Sequence, residues 1–179
     1  HWSKNLFIFL PLFFGGEINN LELLSSAFII FIAFNFTASA VYIVNDWQDI
    51  AKDRLHPTKK NRPLAAGTIK PFPALIFAAL LTLLAFVIAI FIVDELWATL
   101  ILAYYLVQNL LYSFWMKHFA IVDVSVIAIG FVLRIFIGGV VTGIELSQWI
   151  ISLTLLLAIF LAFAKRRDDV IVYEKTEMK

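Results

Sequence analysis

Apolar residues run in blocks about as long as a bilayer core is thick, and polar residues are gathered at the joints between the blocks. A helix that crosses the hydrocarbon layer needs about 20 apolar residues. The pattern recurs at residues 21–47, 72–93, 96–116, 119–143 and 148–164, which predicts five spans. Residues 2–14 make a shorter apolar run containing Pro11. It reads as the remainder of a first span or as an interfacial helix, and counted with the others it makes six. The pattern predicts an all-α, polytopic transmembrane helical bundle forming one domain over 1–179. Because the sequence opens at His1 without Met and stops soon after an apolar run, it is expected to be truncated at both ends. No signal-peptide cleavage pattern follows the first apolar run.

Charge falls unevenly on the joints. One alternate set carries Glu17, Glu22, Asp94, Glu95 and Glu145 and no Lys or Arg. The other carries Lys4, then Lys52, Arg54, Lys59, Lys60, Arg62 and Lys70, then Lys117, then Lys165, Arg166 and Arg167. Basic residues mark the cytoplasmic side of membrane proteins, so the second set is expected to face the cytoplasm from an inner (plasma) membrane. Trp2, Trp47, Trp97, Trp115 and Trp149 all lie at span ends, where indole rings favour the headgroup layer. The two signals agree on topology.

Composition narrows the class. The chain is 62% hydrophobic and 15% charged, with a mean hydropathy of +0.92, which no soluble domain with a polar surface shows. Cysteine is absent, which removes disulfides, thiolate metal sites and cysteine nucleophiles. His56 and His118 stand apart with no ligand spacing, so zinc and haem are not supported. There is no glycine-rich nucleotide loop, no internal repeat and no low-complexity tract. No nucleic-acid partner is expected, and homo-oligomerisation is left open.

Chemistry concentrates in the longest connection, residues 46–71. It begins Asn45-Asp46-Trp47-Gln48-Asp49-Ile50-Ala51-Lys52-Asp53. On a helix advancing 100° per residue the three acids fall within about 60° of one another. Three like charges so close call for a cation. One solution is Mg²⁺ shared between one or two carboxylates and the phosphate oxygens of a substrate; the other is a solvated helix end in which Lys52 and Arg54 are the partners. A basic turn follows, His56-Pro57-Thr58-Lys59-Lys60-Asn61-Arg62-Pro63-Leu64-Ala65-Ala66-Gly67. A guanidinium grips phosphate by two parallel bonds, while an ammonium acts as a point charge. Acids followed closely by bases suit a metal-bound diphosphate. Topological charge alone accounts for Lys70 but not for an Arg62 fixed between Asn61 and Pro63.

Two ionisable residues lie inside the fifth span, Asp123 and Arg134. Such residues are costly unless they face a cavity or a partner, and eleven residues bring them to within about 20° of one face. Asp123 is close enough to the basic side to join a site there. The deeper Arg134 either joins it or pairs structurally with a carbonyl or with a residue outside this stretch of sequence. Asn109, Tyr112 and Lys117 end the fourth span on the same side, where Tyr112 serves either as a phosphate or sugar contact or as an interfacial aromatic.

Asn-Asp-x-x-Asp-x-x-x-Asp followed by Arg-Pro-Leu-Ala-x-Gly resembles the first aspartate-rich motif of the UbiA prenyltransferase superfamily, and the spacing of spans resembles that family along the whole chain. The resemblance implies about six of nine spans, with Mg²⁺ and a donor diphosphate held at Asp46, Asp49 and Asp53 as the catalytic carboxylates. Within the superfamily the chain resembles the decaprenyl-phosphate phosphoribosyltransferases. The stretches that carry this likeness are His1-Trp2-Ser3-Lys4-Asn5 with Pro11-Leu12, Asp53-Arg54-x-His56-Pro57-x-Lys59, Tyr112-Ser113, Gly130-Phe131-Val132-Leu133-Arg134 and Lys165-Arg166-Arg167. That implies phosphoribosyl diphosphate and a polyprenyl phosphate as substrates. Lys4, Asn45, Lys59, Lys60, Arg62, Tyr112, Lys117, Asp123, Arg134, Lys165, Arg166 and Arg167 are then the expected substrate contacts. Members that act on aromatic acceptors carry a second aspartate-rich motif in the loop after the sixth span. Here that position reads Lys165-Arg166-Arg167-Asp168-Asp169, with bases leading, which suits direct capture of a phosphate or a plain stop-transfer anchor. Prenyl transfer to a small acceptor, and a non-enzymatic transporter or lipid-handling protein, are the competing expectations. The transporter would place charges near mid-bilayer in several helices, whereas here only Arg134 lies that deep.

Overall fold

The structure, a computed structural model, describes residues 2–117 and 120–177, and for residues 120, 165 and 168–177 only the course of the backbone. A 3₁₀ segment, Trp2–Phe9, runs into α1 (Leu10–Phe14). Next come α2 (Leu21–Gln48), the short α3 (Ile50–Leu55) and a 3₁₀ turn at Lys59–Asn61. α4 (Pro71–Ile88) continues as a π-helical turn, Ala89–Val93, and α5 (Leu96–Leu111) ends in another, Tyr112–Met116. α6 (Ala120–Thr142) and α7 (Gln148–Glu177) follow. Among the described residues there is no strand, as the hydrophobic pattern predicts.

Among the described residues four helices are long and apolar enough to cross a membrane: Leu21–Gln48, Pro71–Val93, Leu96–Met116 and Ile121–Thr142. Trp2–Phe14 and Gln148–Ala164 are shorter apolar helices. The predicted spans therefore exist as helices, four at full crossing length. One boundary differs in kind. The basic run at 165–167, read as a loop after the last span, lies on α7, which continues to Glu177.

Local chemistry sets the starts. The Asn20 side chain accepts from the amide of Leu23 to cap α2, Glu95 does the same for Trp97 at the head of α5, and Pro71 occupies the first turn of α4, where its missing N–H costs nothing. Helix α2 is the axle of the bundle, touching the amino-terminal segment, α4, α5 and α6. Its inner positions include Ala33, Ala38 and Ala40, all essentially without solvent contact. Small residues let membrane helices approach closely where lipid supplies no hydrophobic drive. Phe34, Ile30, Leu102, Tyr105 and Ile137 fill the space between them. The opposite faces carry Phe72, Phe77, Leu83 and Phe91 on α4 and its extension, and Trp149, Leu156 and Phe160 on α7, all exposed, as lipid-facing surfaces should be.

The amino-terminal segment is part of this core. Ile8 and Leu12 are fully buried, and the backbone at Ile8 presses so closely on α6 that a Cβ on Gly138 would fall 2.1 Å from the Ile8 carbonyl oxygen. Gly138→Ala is expected to push the segment off α6 and to cost about 1–3 kcal/mol, the usual range for overpacking. A lowered melting temperature in detergent checks it.

Candidate functional site

Polar residues of α2, α3 and the turn after it, α5 with its π extension, and α6 meet at one end of the bundle, with Arg166 of α7 beside them. Helix α2 stops at Gln48 and α3 starts at Ile50, with Asp49 at the joint. Beyond α3 the chain folds back as a braced turn: Arg54 Nε donates to the Ala65 carbonyl at 3.0 Å. His56 Nδ1 accepts from the amides of Thr58 and Lys59, and Gly67 takes a φ of 77°, which favours glycine. This turn carries Arg62 back over the end of α2.

There Arg62 Nη1 lies 2.8 Å from Asp46 Oδ1 and 2.9 Å from Asp53 Oδ2. Asp49 points the other way, with its Oδ1 2.6 Å from Lys117 Nζ and its Oδ2 accepting from Asn45 Nδ2. Asn45 in turn accepts from Ser113 Oγ. The acids expected on one helix face are thus divided two and one by the break at Asp49. Arg62 and Lys117, from distant segments, are their partners, whereas Arg54 is spent on the turn.

Lys117 reaches Asp49 because of the π turn. In an α-helix, residues five apart lie about 140° from one another around the axis. The Lys117 amide bonds instead to the Tyr112 carbonyl, five residues back, and the widened turn swings both side chains toward the same space. Such turns recur at functional sites. Tyr112 donates from its hydroxyl to Asp123 Oδ1 at 2.5 Å, and Asp123 Oδ2 lies 3.7 Å from Arg166 of α7.

These side chains line a cavity of about 580 Å³. Of the residues expected from sequence, Lys4, Asn45, Asp46, Asp49, Asp53, Lys59, Arg62, Tyr112, Lys117, Asp123 and Arg134 face it. Lys60 and Arg167 are exposed and outside its lining. Arg166 touches it through Asp123, and the Lys165 side chain lies outside the described residues. Sequence reasoning missed Tyr42, His56 and Tyr105 as lining residues; the two tyrosines read as span interior and are brought in by the α2–α5 contact, while His56 reads as turn and is brought in by the fold-back after α3.

Arg134 forms the cavity floor and is tied to structure on every side. Its Nε donates to Asn5 Oδ1 at 2.7 Å, its Nη1 to the Gly130 carbonyl and its Nη2 to the Tyr105 hydroxyl at 3.3 Å. Asn5 passes a bond on to Asn35 at 2.7 Å. The rings of Phe34, Tyr105 and Phe131 lie within 6 Å of the guanidinium carbon, in cation–π range. The expected carbonyl partner is present, within a network of five residues.

Could this end of the bundle hold a metal? Among the described residues no three of the His, Asp and Glu side chains are grouped to ligate one ion. Two carboxylates, however, already converge on one cationic atom, Arg62 Nη1. Mg²⁺ prefers oxygen donors and is commonly held by one or two carboxylates with substrate phosphates completing its shell. The Asp46–Asp53 pair fits that arrangement, with Asp49 beside it.

The sequence matches the UbiA prenyltransferase family over residues 6–171. The chain belongs to that family. With the four crossing helices, membership makes it an integral membrane protein. Among curated relatives, the decaprenyl-phosphate phosphoribosyltransferase of Corynebacterium glutamicum is 36% identical over 99% of this chain and 54% of its own length. That of Mycolicibacterium smegmatis is 34% identical over 99% of the chain and 57% of its own. An uncharacterized protein of Sinorhizobium fredii, y4nM, is 39% identical over 94% of the chain and 32% of its own. The chain therefore spans little more than half the length of these transferases.

Proposed function

We propose that the protein transfers 5-phosphoribose from phosphoribosyl diphosphate to a polyprenyl phosphate, with release of diphosphate, at the cytoplasmic face of the inner membrane. The observation that carries this reading is the cavity in which Asp46, Asp49 and Asp53 meet Lys4, Lys59, Arg62 and Lys117 at one end of apolar helices. Acids to seat a divalent cation stand beside bases to grip phosphate. The names of the relatives support the choice of donor and acceptor, and the concentration of Lys and Arg at this end supports its cytoplasmic placement.

Mg²⁺, held by Asp46 and Asp53 with Asp49 nearby, would neutralise charge on the departing diphosphate. The chain's own residues do the rest. Lys59, Arg62 and Lys117 bind the remaining phosphate oxygens. As the ribose C1–O bond breaks, its electron pair leaves with diphosphate and positive charge grows on the sugar, which the carboxylates favour. An oxygen of the polyprenyl phosphate then bonds to C1. That oxygen is already anionic at neutral pH, so no general base is required. Arg166 stands at the cavity edge to receive the acceptor headgroup, and Tyr112 holds Asp123 in place against it. For the isoprenoid tail, a cleft of about 560 Å³ lined by Ala40, Val44, Ala78, Phe86, Leu106 and neighbouring apolar side chains lies between α2, α4 and α5, and α2 and α5 also wall the polar cavity.

Membranes carrying the intact protein, incubated with labelled phosphoribosyl diphosphate and polyprenyl phosphate, are expected to move label into the lipid phase in a Mg²⁺-dependent manner. Label appearing only when an isoprenyl diphosphate and an aromatic acid are supplied would replace this reading with prenyl transfer.

A further inference from the structure

Arg62 touches both Asp46 and Asp53 through one nitrogen, Nη1. A guanidinium binds a carboxylate or phosphate most strongly by two parallel bonds from two nitrogens, so this is a shared contact of the kind a small cation makes between two anions. Asp53 is 7% exposed at its side chain, whereas Arg62 is 36% exposed. Asp53 is sheltered, while Asp46, at 29%, lies with Arg62 nearer the mouth. Arg62 itself rides on a turn braced independently of the acids, by Arg54 on the Ala65 carbonyl, by His56 on two amides and by the Ala66 amide on the Arg62 carbonyl at 2.8 Å. Its side chain can therefore change partners without the turn coming apart. Lys117 keeps Asp49 in the same way from the other side.

We propose that Arg62 is a stand-in for the metal: it occupies the Asp46–Asp53 seat until a diphosphate offers its guanidinium a two-bond partner, so that divalent cation and diphosphate bind as one unit. A cation arriving alone must displace a resident positive charge and leave that charge beside it. A cation arriving with diphosphate frees Arg62 onto phosphate and removes the conflict. The proposal rests on reading the acids as a metal seat. It does not depend on which group the diphosphate carries.

The test is calorimetry on the intact protein in nanodiscs, with Mn²⁺ as probe, free Mn²⁺ fixed by a metal buffer, and inorganic diphosphate present or absent. In the wild type, Mn²⁺ alone is expected to bind weakly, and diphosphate to tighten it by roughly tenfold or more, within the usual range of linked binding. Arg62→Gln, which removes the charge, is expected to bind Mn²⁺ alone about tenfold more tightly and to gain little from diphosphate. Arg62→Lys, which keeps a charge without the fork, should retain weak binding of Mn²⁺ alone and lose part of the diphosphate gain. Unchanged or weaker Mn²⁺ binding in Arg62→Gln would overturn the proposal, as would a wild-type Mn²⁺ affinity indifferent to diphosphate. The wild-type comparison can overturn the proposal even if a variant fails to fold. Should the Mn²⁺ results hold while phosphoribosyl diphosphate proves not to be the donor, the functional reading fails and this one stands.

Discussion

Asp53→Asn is expected to lower the proposed transfer of phosphoribose by about two to three orders of magnitude, the loss usual when one preorganised electrostatic partner of a transition state is removed. Asp53 is the most sheltered of the three acids, 5% exposed, and its carboxylate faces the cavity through Arg62. The Asn keeps the size and can still accept a bond from Arg62, while Arg62 retains Asp46. Folding should therefore survive and the melting temperature should change little. Turnover of labelled phosphoribosyl diphosphate against polyprenyl phosphate in nanodiscs measures the effect. A variant that keeps full turnover would remove the acids from the chemistry and favour a transport or lipid-handling role.

The second large effect is structural. Arg134→Leu should cost about 1–3 kcal/mol for each buried polar group it leaves unpaired. It would strip partners from the Asn5 side chain, the Gly130 carbonyl and the Tyr105 hydroxyl at once, and buried groups left unpaired are expensive. Loss of yield and a lower melting temperature in detergent are the expected readouts. Asn5→Leu, which removes one arm of the same network, should lower stability by less.

The two variants separate what sequence patterning conveys from what it does not. The crossing helices were legible because lipid imposes a length and a composition on each, and the predicted limits 96–116 coincide with α5 and its π extension. The site was legible where chemistry is local: Asp46, Asp49 and Asp53 lie within one short stretch, and Arg62 stands in a proline-bounded turn. Their pairing was not legible. Spacing on a continuous helix predicts three acids on one face, yet the break at Asp49 and the fold-back of the 56–67 turn decide which cation each acid meets. The Lys117 contact depends on a π turn that no periodicity announces. Arg134 was visible as a costly residue, but its partners come from Asn5, Tyr105 and aromatic rings on three other segments, and only their packing brings them together.

The bond from Asn5 to Arg134 joins residues 129 positions apart. During synthesis the first segment must therefore wait, its polar amide without this partner, while α2, α4 and α5 are made and inserted. Only when α6 emerges can the opening residues be sewn into place. The segment around Asn5 can meet Asn35 of α2 early, but its network closes only once α6 is present, a long-range event.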